Sequence, residues 1–365
     1  MKVCLIGDVF GQSGYSTHVR FMAEALDDLG YDVSVDCNKP QNWELQSPDK
    51  LFSILQREVS NETVVYIGLP PFWSLKIADK PNHFIGFLIW EGNTIPEYWI
   101  EHLADERVDQ IWVASSNTKQ AIQNTTTDEK ILNKIYIVPE GVDTGLFKRN
   151  VVQRHANFTF VCNKGWAEGA NDRGGVQYLV KAFKEEFKKE EPVLLQVKIN
   201  KSYCPPNWNI SNELNNINTD MVNGADMIIA LDNIQYKGIP DAVYNRGDCF
   251  VCPTRGEAFG LTMAEAMACE LPVITTNFGG QTDFIKDGET GLLVDFKLEE
   301  VRHNILYEGI QWATPDIQDL RKKMRWAFDN KDKIKEMGLK AREYVVVNLQ
   351  WKHAGLKAKE ALDKL

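Results

Sequence analysis

Short apolar runs recur along the chain, and stretches of helical period stand between them. In the first 150 residues Lys2–Ile6, Asp32–Asp36, Thr63–Gly68, His83–Trp90, Gln110–Ala114 and Ile135–Val138 read as buried strands. Between the first two lies an amphipathic helix, Ser16–Leu29. Its Val19, Met22, Ala23, Leu26 and Leu29 recur at three- and four-residue steps, and Gly30 stops it. Ser115-Ser116-Asn117 caps a helix after the fifth strand. The pattern repeats beyond residue 150. Phe158–Cys162, Leu194–Ile199, Met227–Leu231, Asp248–Thr254 and Leu271–Thr275 read as strands. Tyr178–Lys189, Pro240–Arg246, Thr262 to about Cys269, Leu320–Phe328 and Trp351–Leu365 read as helices. Strands alternating with helices predict an α/β protein with parallel sheets. A length of 365 residues suits two domains, with a boundary near Asn150.

The stretch Asp248–Asp295 concentrates the chemistry. A strand ends at Pro253, a small-residue loop follows (Arg255-Gly256-Glu257-Ala258-Phe259-Gly260), and a helix begins at once. After the next strand, Gly279-Gly280 makes a second loop. In a βαβ unit both loops lie at the carboxyl ends of the strands, where ligands bind. The helix start offers N–H groups and a positive dipole end, which suit a phosphate. Glu257 and Glu265 flank that position, and each can accept hydrogen bonds from hydroxyls on its own side. A nucleoside diphosphate sugar has this layout, with a sugar at one end and a ribose at the other. Each glutamate also has a plainer reading. Thr262-x-x-Glu265 is a capping box, and Glu257 is a solvated loop acid.

Several spaced elements carry a resemblance: Arg255-Gly256-Glu257, Phe259-Gly260-Leu261, Glu265-Ala266-Met267-Ala268, Pro272-Val273-Ile274 and Gly279-Gly280. Together they resemble the glutamate–seven–glutamate signature of retaining glycosyltransferases of family 4, the group 1 glycosyltransferases. Glu270 departs from it, where a glycine is more usual, and so does Thr262, where close relatives often carry proline. Glu140-Gly141-Val142-Asp143 after Pro139 resembles the family's segment before the crossing into the second domain. The Trp90-Glu91 pair ahead of Pro96 resembles a subgroup with Trp-Glu-Thr, here with Gly92 for the threonine. Many members place a histidine near this point, where the chain has Glu91.

The resemblance implies a GT-B architecture, two Rossmann-like domains facing across a cleft. Residues 1–150 form the acceptor side and 151–349 the nucleotide-sugar side, and a last helix of about 350–365 packs back on the first domain. It implies transfer of a hexose from a nucleoside diphosphate sugar to a hydroxyl of a glycan, a lipid or another acceptor. Lys164 and Arg173 correspond to the cations that hold the diphosphate. Gly14 and Tyr15 correspond to the first glycine loop, which approaches it through backbone amides. Phe259, Gly260 and Leu261 belong to the donor site, and Asn233 and Ile234 border its base. Glu257 takes sugar positioning and electrostatics, without covalent catalysis, and Glu265 takes the ribose. Glu91 and Trp73 stand on the acceptor side. Read without the resemblance, Lys164 and Arg173 are exposed loop charges and Trp73 is core or edge packing.

No Asp-x-Asp occurs, so a metal-bridged diphosphate is not expected. The expectation is a metal-independent enzyme with no cofactor beyond its donor. The net charge of −10 argues against a dominant nucleic-acid role. Residues 321–365 run the other way, with 13 Lys+Arg against 6 Asp+Glu. That tail would suit weak peripheral contact with an anionic membrane, though solvated helix faces are the commoner reason for such a composition. Seven cysteines without framework spacing read as reduced thiols in a cytoplasmic setting. Cys249-x-x-Cys252 falls in a strand, where i and i+3 point to opposite faces and cannot share an ion. Two rival readings stand beside the transferase. One is a nucleotide-sugar epimerase, with His18 the histidine near the first glycine loop. The other is a non-catalytic nucleotide-sugar-binding subunit.

Overall fold

A computed structural model describes residues 1–11, 13–37, 49–201 and 204–365. The chain forms two compact units. The first comprises Met1–Gly141, Asn304–Ile310 and Leu349–Leu365, and the second comprises Val142–His303 and Gln311–Asn348.

In the first unit, β1 (Lys2–Ile6), β2 (Asp32–Asp36), β3 (Thr63–Ile67), β4 (His83–Leu88), β5 (Gln110–Val113) and β6 (Ile135–Ile137) make one sheet. Its order is β2-β1-β3-β4-β5-β6, and every neighbouring pair is parallel. The inner strands β1, β3, β4 and β5 are buried on both faces, which explains their near-continuous apolar sequences. The helix Gly14–Asp28 covers one face. The helix Trp351–Leu362 lies against it, with Trp351 stacked on Phe21 at 5.4 Å. Gln110 Nε2 donates to Ala361 O at 2.7 Å and ties the same helix to β5.

The second unit repeats the architecture with β7 (Phe158–Lys164), β8 (Val193–Ile199), β9 (Met227–Ala230), β10 (Cys249–Cys252), β11 (Val273–Thr276) and β12 (Gly291–Val294). The order is β12-β11-β10-β7-β8-β9, again parallel throughout. An antiparallel hairpin follows, β13 (Phe296–Glu300) and β14 (Gln311–Pro315). The strand order reverses between β10 and β7, so the loops leaving these two strands diverge to opposite faces and open a crevice between them.

Some boundaries differ from the sequence expectation. β7 runs on to Lys164, which is therefore the last strand residue and not part of the loop. Gly14 and Tyr15 lie in the first turn of their helix, because Ser13 caps it by accepting from Ser16 N at 3.1 Å. Residues 204–224, rich in asparagine and without a strand or helix pattern, hold a helix, Ile210–Asn215, capped by Asn209. The long helix Lys331–Asn348 was not expected. It packs on the helix Leu261–Ala268, and Gly338 lets it approach the Glu270 carbonyl: a Cβ there would lie 2.1 Å from that oxygen. Among the described residues no helix is long and apolar enough to cross a membrane.

The departure at Glu270 has a structural cost. The helix Leu261–Ala268 ends in a Schellman motif, with Leu271 N donating to Ala266 O and Glu270 N to Met267 O, both at 3.0 Å. The residue after the cap is left-handed, and Glu270 holds that position with φ of 62°. A glycine carries no Cβ penalty there. Glu270→Gly should therefore raise the unfolding free energy by about 1 kcal/mol, the low end of the left-handed penalty for an L-residue. A urea titration would read it as a higher midpoint with unchanged slope, and a lowered midpoint would contradict the strain.

Candidate active site

Three loops meet at the carboxyl ends of β7, β10 and β11. Asp172 organises the first of them. Its Oδ2 accepts from Ala167 N at 2.7 Å and Glu168 N at 3.1 Å, and its Oδ1 accepts from Gly174 N at 2.7 Å. Gly175 closes that loop with φ of 83°, and a Cβ there would stand 2.0 Å from Pro253 O. Only glycine permits this approach, and it brings Arg173 beside the loop after β10. Arg255 N donates to Arg173 O at 2.8 Å, and Thr254 Oγ1 lies 3.1 Å from the same oxygen. The Arg173 guanidinium donates to Gly256 O at 2.6 Å. The loop after β11 joins through Gly280 N, which donates to Glu257 O at 2.7 Å.

Glu257 sits where the loops converge. Its Oε1 accepts from Lys164 Nζ and from Thr254 Oγ1, the latter at 3.1 Å, and Arg173 NH1 lies 3.6 Å away. The solvated-acid reading does not describe it, since its side chain is only 12% exposed. Burial opposes ionisation of Glu257, but Lys164 and Arg173 beside it overcome this and hold the carboxyl below its ordinary range. Burial likewise opposes the charge on Lys164, and Glu257 overcomes it, so the ammonium titrates above its ordinary value. Both members are therefore charged at neutral pH.

The helix Leu261–Ala268 begins next to this cluster. Its N-cap is Gly260, with φ of 107° and no side-chain capping bond. The first-turn amides of Leu261 and Thr262 have no intrahelical acceptor, as at any helix start. Phe259 is buried against Phe284, with ring centroids 5.1 Å apart. The capping box does not form, because Thr262 follows the cap and its Oγ1 has no hydrogen-bond partner among the described residues. Glu265 turns inward to the sheet instead. Tyr244 OH donates to Glu265 Oε2 at 2.7 Å, and Asn163 Nδ2 donates to Tyr244 OH at 3.1 Å. Burial, and then the Glu265 charge, push the Tyr244 phenol well above its ordinary value, so it keeps its proton and acts as donor. Lys198 stands opposite Asn163 in the register of β8 and is buried. Burial pushes its ammonium below its ordinary value, against the pull of Glu265 and Asp232. Asn233 is exposed and Ile234 half-buried, just past the end of β9.

In the first unit, Gly14 and Tyr15 are exposed, and Tyr15 OH reaches Ile89 O at 3.5 Å. Trp73 is a correction. It begins a short helix, its indole is fully buried, and its Nε1 donates to Gly68 O at 3.0 Å. Its ring fills the space above Gly86, where a Cβ would meet it at 2.3 Å. No ring face is left for a sugar, so the packing reading describes it. Glu91 is buried too, and accepts from Tyr307 OH at 2.7 Å. His18, the histidine that the epimerase reading singles out, is fully enclosed against Phe87 and Trp351. Cys249 and Cys252 turn to different partners, Pro272 O and Gly174 O, as strand geometry requires.

Sequence reasoning missed Asp172, Thr254, Tyr244, Asn163 and Tyr307. Asp172 alone left a signal, as an acid two residues before a Gly-Gly pair. The Lys164–Glu257 pair generates a prediction. Lys164→Met should destabilise the protein by about 3 kcal/mol at pH 7, the low end for breaking a buried pair, since Arg173 remains nearby. The depressed Glu257 carboxyl contributes stability above its unfolded pKa, and this is lost as pH falls through the folded value. The penalty should therefore shrink on acidification. Chemical denaturation of both proteins at pH 7 and pH 4 measures it, and a pH-independent penalty would mean that Lys164 contributes only packing.

Residues 221–307 match the family described as Glycosyl transferases group 1. The chain is 46% identical over 67 residues to the capsular polysaccharide biosynthesis glycosyltransferase CapM of Staphylococcus aureus. That stretch spans 18% of this chain and 18% of CapM's own length. Sucrose-phosphate synthase from Thermosynechococcus elongatus shares the fold with a TM-score of 0.74 at 17% identity, over 100% of this chain and 98% of that one. HepE of Anabaena in complex with UDP-glucose does so with a TM-score of 0.71 at 12% identity, over 100% of both chains. Residues 221–307 thus carry the match to the group 1 glycosyl transferases, and the two Rossmann-like units share the GT-B fold of these solved structures.

Proposed function

We propose that this protein is a retaining hexosyltransferase. It takes its sugar from a nucleoside diphosphate donor and passes it to a hydroxyl of a glycan, a lipid or another acceptor, without a metal or further cofactor. One observation carries the reading: Lys164, Arg173 and Glu257 converge at the switch point of the second sheet, beside a glycine-capped helix start. Two cations and a helix N-terminus suit a diphosphate. Lys164 and Arg173 would offset the charge that develops on the departing diphosphate, so the site supplies its own cations. The family match supports glycosyl transfer, and the UDP-glucose in the Anabaena relative supports a nucleotide-sugar donor. Seven free thiols suit a reducing, cytoplasmic compartment.

Glu257 is a poor proton donor at neutral pH, because its neighbours keep it ionised. Its role is to hold the sugar hydroxyls and to stabilise positive charge growing at the anomeric carbon. The leaving phosphate, on the same face as the incoming hydroxyl, takes the acceptor's proton, and no protein nucleophile is needed. Glu265 lies one turn deeper and takes the ribose hydroxyls, held for this by Tyr244 and Asn163. Glu91 belongs to the acceptor side.

A thermal-shift screen over UDP-, GDP-, ADP- and TDP-sugars identifies the donor, since a ligand of the native state raises Tm by mass action. With that donor, Glu265→Gln should chiefly raise donor KM, by about one to two decades for 1.4–2.8 kcal/mol of ground-state contact. Glu257→Gln should chiefly lower turnover with nucleotide affinity nearly kept, because its contact strengthens in the transition state. Unchanged donor affinity in the Glu265 variant would return that residue to the structural hydrogen-bond chain. Activity should also survive EDTA, whereas Arg173→Ala should weaken nucleoside diphosphate binding about tenfold or more and leave nucleoside binding alone. Loss of activity in EDTA that manganese restores would sink the metal-independent mechanism.

A further inference from the structure

The segment Asn304–Ile310 stands between β13 and β14 of the second unit's hairpin, yet it folds with the first unit. There it packs directly on the loop that carries Glu91. Tyr307 stacks on Trp90, with ring centroids 4.9 Å apart and planes 16° from parallel. Its hydroxyl donates to Glu91 Oε1 at 2.7 Å. Ile310, 2% exposed, fills the space over Gly92, where a Cβ would come within 2.4 Å of its Cγ2. Leu306 joins the same apolar cluster, together with Trp90 and Ile95. The loop is held from its other side as well: Trp90 Nε1 donates to Thr94 O at 2.6 Å, and Asn124 Nδ2 donates to Asn93 O at 2.8 Å. Three consecutive residues, Trp90, Glu91 and Gly92, thus each meet a residue of the inserted segment, one by stacking, one by a hydrogen bond and one by close packing.

We propose that Asn304–Ile310 is a strap that shapes the acceptor side, and that Tyr307 is the positioning residue for the Glu91 carboxylate. The proposal rests on the reading of Glu91 as an acceptor-side residue. A glutamate has three side-chain torsions, and a carboxylate meant to accept a hydrogen bond from an incoming hydroxyl works best when one torsional state is selected in advance. Tyr307 selects it. Its ring is fixed by the Trp90 stack, so its hydroxyl is a fixed point from which Oε1 is held. Gly92, standing where the related subgroup has threonine, follows from the same arrangement, because any Cβ would displace Ile310 from the strap. Acceptor geometry in this protein therefore depends on an insertion between two strands of the other half of the chain.

The test uses the full chain and two readouts. Tyr307→Phe keeps the ring on Trp90 and removes only the hydroxyl. Amide hydrogen exchange at Glu91–Thr94 should rise about tenfold, which corresponds to about 1.4 kcal/mol, while exchange in β7 to β12 stays unchanged. In a Glu91→Ala background the same change should have no further effect, because Tyr307 acts through Glu91. Unchanged exchange in Tyr307→Phe, or a full tenfold rise in the Glu91→Ala background, would overturn the proposal. The second readout is transfer from UDP-glucose to methyl α-glucoside. Tyr307→Phe should raise acceptor KM and keep donor KM. If Glu91→Ala keeps full turnover, the acceptor-side reading fails while the exchange result still decides the strap.

Discussion

The architecture of the second unit converges on one buried carboxylate. Glu257 is held by Lys164 from the end of β7 and by Thr254 from the end of β10, with Arg173 close by. A carboxylate so enclosed is tolerable only because its cations arrive from a separate strand and a separate loop. That requirement fixes how far β7 extends, how the loop after it folds back and how close the loop after β10 must lie. Asp172 and Gly175 serve this approach. The first gathers three amides of the loop, and the second lets the chain pass against Pro253 O where no side chain would fit.

The same region shows how two glutamates eight positions apart acquire different characters. Glu257 is surrounded by cations and faces the loops. Glu265 lies on the following helix and is gripped by a neutral phenol, which is in turn gripped by an asparagine next to Lys164. Lys164 and Asn163 are consecutive on β7, so their side chains leave opposite faces of the strand. One residue pair on one strand thereby reaches the partners of both acids. This alternation places the cation cluster and the hydrogen-bond chain on opposite faces of one strand.

The first unit uses aromatic packing where the second uses charge. Trp73, Trp90 and Trp99 are buried there, and Trp90 meets both Trp99 and Tyr307. Trp99 and Tyr307 pack on Trp90 at the start of the loop that carries Glu91. Packing of this kind limits side-chain freedom at little entropic cost, since an aromatic has only two torsions to lose. The Tyr307 hydroxyl donates to the loop's Glu91 carboxylate.

The sequence alone determined the alternation of strands and helices, the parallel sheets and the glycine loops around Glu257 and Glu265. These are written in local pattern: apolar runs of strand length, helical periodicity and glycines at turn positions. Glu270 shows the reach of that information, since its departure from glycine marks a left-handed position. Partnership was decided only by the tertiary structure. The choice of Tyr244 over Thr262 for Glu265 depends on residues 21 positions apart, and the choice of Tyr307 for Glu91 on residues 216 apart. The resemblance put Trp73 on the acceptor side and its residue type put it in the core, and it took the core, where its ring lies over Gly86. Local pattern fixes which way a backbone runs. Only the folding of distant segments against one another decides which buried polar groups meet, because an unpaired one is costly and the partner is whichever residue the topology delivers.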